Sequence, residues 1–140
     1  MFCRIVAGLE HAHEVHRDGH VVAFLDTRPL FAGHVLVVPR DHVVTLPDLP
    51  VDQVGTFFER VQLLSAAVRD ATGAQGTFVA VNNTVSQSVP HLHVHVVPRN
   101  KGDGLRGFFW PRTRYDDDDH AGDVARRVAR ATVARLSPPG

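Results

Sequence analysis

A chain of 140 residues with 44% hydrophobic content is long enough to bury one substantial core, which predicts a single domain over 1–140. Fifteen basic residues balance fifteen acidic ones, so the broad positive field that nucleic-acid binding needs is missing and a small-molecule substrate fits better. A single cysteine, Cys3, excludes an internal disulfide. No apolar stretch nears the roughly 20 residues of a membrane span and no leader opens the chain, so the expected setting is the cytoplasm, away from any membrane.

The first elements are two strands around the turn signal Asp18-Gly19, the second carrying Val21-Val22-Ala23-Phe24-Leu25. Arg28-Pro29 and Ala32-Gly33 punctuate the chain before a third strand, His34 to Val38, closed by Pro39. From Val51 the apolar positions Val54, Phe57, Phe58, Val61, Leu64 and Val68 recur at steps of three and four. That spacing predicts one amphipathic helix ending near Ala71, with Gly73 as its stop. A fourth strand is expected over 77–81, a polar loop over 82–88, and a fifth strand from His91 to Val97 that Pro98 ends. Residues 101–115 lack periodicity and read as a loop. Within it Trp110, flanked by Phe108, Phe109 and Pro111, suits a dimer contact or ordinary surface packing. The acidic run Asp116 to Asp119 precedes helical spacing at Ala121, Val124, Val128 and Ala131, as carboxylates capping a helix of about 118–136 would. The whole is α+β, an antiparallel sheet of about five strands with two main helices.

Three of the ten histidines stand at alternate positions, His91, His93 and His95, with Leu92, Val94 and Val96 between and beyond them. In a strand, alternate residues share a face, so one face would be imidazole and the other aliphatic. One function for such a face is a zinc site. At roughly 3.3 Å per residue, however, His91 and His95 lie about 13 Å apart along a regular strand, too far for both to reach one ion. The other function is covalent catalysis. Imidazole, with an ordinary pKa of ~6.5, attacks phosphorus without first losing a proton to a separate base. A second histidine then handles a proton, and polar donors upstream, Gln87 and Ser88, hold phosphate oxygens.

Phe24-x-Asp26-x-x-Pro29, the block Gly33-His34-Val35-Leu36-Val37-Val38-Pro39, and Gln87-Ser88-Val89-Pro90-His91-Leu92-His93-Val94-His95 occur in order. Together they resemble the histidine triad (HIT) family of nucleotide hydrolases and transferases. The resemblance implies a half-barrel α+β fold, a homodimer, and attack on the α-phosphate of AMP derivatives through a nucleotidyl-histidine intermediate, with no cofactor. By position it makes His93 the nucleophile, with His91 and His95 flanking it and His34 supporting. Gln87, Ser88 and Asn82 match phosphate contacts, Asp26 matches the ribose carboxylate, and Phe24, Phe2 and Ile5 match apolar walls around an adenine base. Asp26 also suits a turn cap, Phe24 and Ile5 plain core, and His42 a surface position.

Two departures stand out. Relatives often carry a Cys-x-x-Cys pair that joins histidines around zinc, whereas Cys3 stands alone, so no metal is expected. The loop Asn82-Asn83-Thr84-Val85-Ser86-Gln87 is about two residues shorter than usual and lacks glycines. Phosphoramidates and dinucleoside polyphosphates remain equal candidates as substrates, with transfer of the nucleotide to phosphate or sugar, or a nucleotide-binding or partner-binding module whose catalysis is incidental, as alternatives.

Overall fold

The computed structural model describes residues 1–106 and 112–136. Phe108, Phe109, Trp110 and Pro111 therefore lie outside the described residues. The chain groups into two compact units, Met1–Asp103 and Gly104–Gly140. No helix among the described residues is long and apolar enough to cross a membrane.

In the first unit a short helix α1 (Phe2–Val6) precedes strands β1 (Glu14–Arg17), β2 (Val21–Leu25) and β3 (Val35–Pro39). Helix α2 (Val51–Thr72), β4 (Gly76–Ala80) and β5 (Val94–Arg99) follow. The five strands form one antiparallel sheet in the order β1-β2-β3-β5-β4. The Asp18-Gly19 turn is fixed by the Asp18 carboxylate, which accepts from the backbone N–H groups of His20 and Val21 at 2.7 and 3.0 Å. The same carboxylate receives Arg60 Nε at 2.6 Å, tying the hairpin to α2. Gly73 ends α2 in the left-handed region, at φ 69°, where a side chain costs roughly 1 kcal/mol or more. Gly33, at φ +99°, is required twice over, because a Cβ there would stand 2.6 Å from Thr72 Cγ2.

Strand alternation divides the sheet into two apolar faces. Val21, Ala23, Val35, Val37, Val94 and Val96 pack under Phe57, Val61, Leu64 and Val68 of α2. Val22, Phe24, Leu36 and Val38 point the other way and meet Phe2 and Ile5 of α1. This second face carries the site. Phe24 pairs with Leu36, and Leu36 with His95, so these three form a row across the sheet on that face.

The fifth strand begins at Val94 and not at His91. Its partner β3 ends at Pro39, which has no N–H to offer, and Leu92 N–H instead donates to Val43 O at 2.8 Å. Pro98 does not end the strand, which runs on to Arg99. Pairing with β3 stops at Val96, so beyond it the strand has a neighbour on one side only and accommodates a residue without a donor. Helix α1 and a short 3-10 turn, Leu46–Asp48, go beyond the elements expected from sequence.

In the second unit, α3 (Asp118–Leu136) begins with Asp118 and Asp119 in its first turn. Asp117 caps it by accepting the His120 N–H at 2.7 Å, the role expected of the acidic run.

Candidate active site

His93 and His95 sit side by side, ring centroids 5.1 Å apart, at the start of β5. His93 is buried, and its Nδ1 lies 2.7 Å from the His91 carbonyl. A carbonyl only accepts, so Nδ1 carries the proton and Nε2 keeps its lone pair. Tautomers follow from hydrogen bonds along the rest of the row as well. The Leu30 N–H donates to His34 Nδ1 at 3.1 Å, which leaves the His34 proton on Nε2, and that nitrogen lies 2.9 Å from His95 Nδ1. His34 therefore donates to His95, and the His95 proton is on Nε2.

Burial pushes the His34 imidazole below its ordinary range, with Asp26 opposing. Burial, together with His93 and His34 alongside, pulls His95 down to about 4. At neutral pH His95 is thus a neutral N–H donor. Asp26 stands 3.7 Å from His34 Nε2 and caps the following turn by accepting the Arg28 N–H at 2.8 Å.

These groups open on a cavity of 710 Å³ whose lining includes Asp26, Ser88, His93 and His95, with Phe2, Ile5 and Phe24 among its apolar walls. Phe2 packs edge-on to both Phe24 and His93, at centroid distances of 5.4 and 5.1 Å. A second cavity of 270 Å³ contains Asp26, His34, Asn82 and His95. Seven of the residues expected from sequence thus line the larger cavity, and His34 and Asn82 line the smaller.

Two others are placed differently. Gln87 lines neither cavity. Its Oε1 accepts the Thr84 N–H at 2.8 Å and its Nε2 donates to Val44 O, so both ends of the amide hold the loop. His91 stands on the same side of the strand as its two neighbours, because Leu92, Val94 and Val96 all pack in the α2-side core and Phe2 meets both His91 and His93 edge-on, but it does not line the cavity. Its Nε2 donates to the Pro39 carbonyl at 3.2 Å, and its Nδ1 faces Cys3 Sγ at 3.5 Å and His42 Nδ1 at 3.3 Å. His42, which the sequence left open between a surface and a functional position, belongs with them. Glu10, His11 and His13 line the larger cavity and carried no sequence signal beyond their residue type.

Among the described residues, two donor clusters are compact enough for a metal ion, Cys3-His42-His91 and Asp26-His34-His95. The first fits zinc: His91 presents a lone pair at Nδ1, and sulfur and imidazole are zinc donors, leaving a fourth ligand to be supplied. The second does not fit. With Nδ1 accepting from Leu30, His34 Nε2 holds the proton and has no lone pair for a cation.

Comparison with known proteins gives the family. The HIT domain profile matches residues 9–102. The chain belongs to the HIT family. This HIT protein is 34% identical to Protein hit of Bacillus subtilis over 98% of its length and 94% of that protein's. The crystal structure of a HIT family member from Bacillus subtilis superposes with a TM-score of 0.85 at 29% identity, covering 99% of this chain and 98% of that one. Enzyme names occur among the relatives. Adenylylsulfatase HINT3 of Arabidopsis thaliana is 35% identical over 75% of the HIT chain and 54% of its own length. The asymmetrical bis(5'-nucleosyl)-tetraphosphatase of Schizosaccharomyces pombe is 34% identical over 58% of the HIT chain and 46% of its own.

Proposed function

We propose that the protein is a nucleotidyl hydrolase acting on the α-phosphate of AMP derivatives, with His93 as the nucleophile. The observation that carries this reading is the hydrogen bond from His93 Nδ1 to the His91 carbonyl, which commits the Nε2 lone pair to a residue lining a cavity of nucleotide size.

In the first step His93 Nε2 forms a bond to phosphorus while the bond to the leaving group breaks, its electron pair departing with that group. The proton stays on Nδ1, where the His91 carbonyl stabilises the positive charge gained by the ring. His95 Nε2–H and Ser88 donate to phosphate oxygens, and His34 fixes the His95 tautomer. Water then attacks phosphorus, the N–P pair returns to Nε2, the water proton passes to solvent, and AMP leaves. Asp26 accepts from the ribose hydroxyls through the oxygen not engaged by the Arg28 N–H. Phe2, Ile5 and Phe24 enclose the adenine. In this reading Gln87 and Asn82 act on the phosphate side, Gln87 through the loop it braces. Zinc, when bound by Cys3, His42 and His91, would supply an anchor for the segment that carries His93.

The relatives' names support hydrolysis with either a sulfate or a nucleoside polyphosphate as leaving group, and a phosphoramidate amine remains part of the proposal. A homodimer in the cytoplasm is the expected form, on family resemblance.

The test is intact-protein mass spectrometry after brief mixing with an activated AMP derivative. Wild type is expected to gain one acid-labile AMP, and His93→Ala none. Absence of the adduct from wild type that still binds AMP would replace the enzyme with a nucleotide-binding module.

A further inference from the structure

Three residues line both cavities: Asp26, Arg28 and His95. Arg28 is the one cation among them. Its backbone N–H is held by Asp26, which sets the main chain, and its guanidinium makes no hydrogen bond or ion pair among the described residues. The smaller cavity adjoins His95 but not His93. A displacement in which His93 attacks from one side sends the leaving group out on the opposite side, and that cavity, with Arg28 and Asn82 on its wall, adjoins the larger one at His95.

We propose that Arg28 is a specificity-determining residue that holds a tetrahedral oxyanion on the leaving group, either the next phosphate of an oligophosphate or the sulfate of a phosphosulfate. The inference rests on the nucleotidyl-transfer reading above and selects among its leaving groups. A guanidinium fork matches tetrahedral oxyanions with paired N–H donors, whereas it repels an amine that is gaining a proton. Asn82 adds an amide donor on the same wall.

Proton accounting points the same way. When the phosphorus–oxygen bond breaks, the pair stays on a phosphate or sulfate oxygen, which departs as a stable anion and needs no proton. An amine departs only after receiving one, and His95, neutral in the free protein, offers a hydrogen bond and not a spare proton.

The test compares three adenosine 5′-phosphoryl substrates differing only in leaving group: a phosphoramidate with an uncharged amine, a diadenosine tetraphosphate and adenosine phosphosulfate. Wild type is expected to favour the two oxyanion substrates in kcat/KM. Arg28→Gln is expected to lower kcat/KM on these by about ten- to a hundredfold, the worth of a charge-assisted hydrogen bond, while the amine substrate falls by less than about threefold. Arg28→Lys should recover part of the loss. Loss on the tetraphosphate alone assigns the phosphate, and loss on the phosphosulfate alone the sulfate. A uniform loss on all three, or none, overturns the proposal while leaving nucleotidyl transfer intact. If wild type forms no AMP adduct with any of them, the reading beneath it fails instead.

Discussion

His34 Nε2 lies 2.9 Å from His95 Nδ1, and because His34 Nδ1 is already occupied by the Leu30 N–H, the direction of that hydrogen bond is fixed. One backbone amide, two residues beyond Arg28, thereby decides which nitrogen of His95 bears its proton.

Replacing His34 should disturb chemistry more than binding. His34→Ala removes the donor that fixes His95, and a lost hydrogen bond of roughly 1.5 kcal/mol corresponds to about a tenfold fall in kcat. AMP affinity, measured by calorimetry, is expected to move less than about threefold. The pH profile of kcat should shift as well, since His95 loses a neighbour that lowers its pKa. A change confined to affinity would contradict this role.

Stability should decline in mild acid. The folded protein holds His95 at about 4, below the ordinary imidazole value of ~6.5 that applies to the unfolded chain. The unfolded state therefore binds a proton first, and the contribution of this group is complete above about 6.5 and lost as pH falls toward about 4. His34, also lowered by burial, acts in the same direction. Urea midpoints between pH 7.5 and 4.5 should show the decline, and His95→Gln should flatten it.

Zinc should bind through Cys3, His42 and His91. Cys3→Ala and His42→Ala are each expected to weaken binding by at least about tenfold in competition with a chromogenic chelator. His34→Ala should leave zinc affinity within about twofold, since its cluster offers no lone pair. Equal weakening by all three would place the ion elsewhere.

The short loop before the histidines stores strain. Thr84 and Ser86 have φ of 70° and 61°, a region that costs a β-branched residue about 1–2 kcal/mol. Thr84→Gly removes that cost and gives back part of it as unfolded-chain entropy, so a net gain of roughly 0.5–1 kcal/mol is expected from urea denaturation. The Gln87 brace depends on the backbone N–H of residue 84, which glycine retains.

Elements with a strong local period were legible in the sequence. Helix α2, its Gly73 stop, the Asp18 hairpin and β3 emerge within a residue or two of expectation, because spacing and turn chemistry are local properties. The grouping of His93 and His95 with Asp26, Phe2 and Phe24 was implied by the family resemblance, and these residues line one cavity. What escaped was non-local. Alternation along residues 91–97 put His91 on the side of His93, and it is there, but the ladder stops where β3 ends at Pro39, and the His91 ring meets Cys3 and His42 instead of the cavity. Cys3 and His42 are 39 residues apart, and nothing in their spacing announces that they meet. Gln87 is a similar case, since a side chain that suits phosphate equally suits a short loop in need of braces.

Among the described residues, the face of the sheet that bears Val22, Phe24, Leu36 and Val38 is covered by α1, a helix of five residues, with Ala12 and Val89 packed beside it. The apolar walls of the larger cavity thus share Phe2, Ile5, Phe24 and Leu36 with this smaller core. An adenine lodged against Phe2 and Phe24 would extend the hydrophobic interior, so occupancy and folding are thermodynamically linked. At AMP concentrations a hundredfold above its dissociation constant, that linkage is worth about 2.7 kcal/mol. The melting temperature of this protein would then report on the nucleotide level of its surroundings.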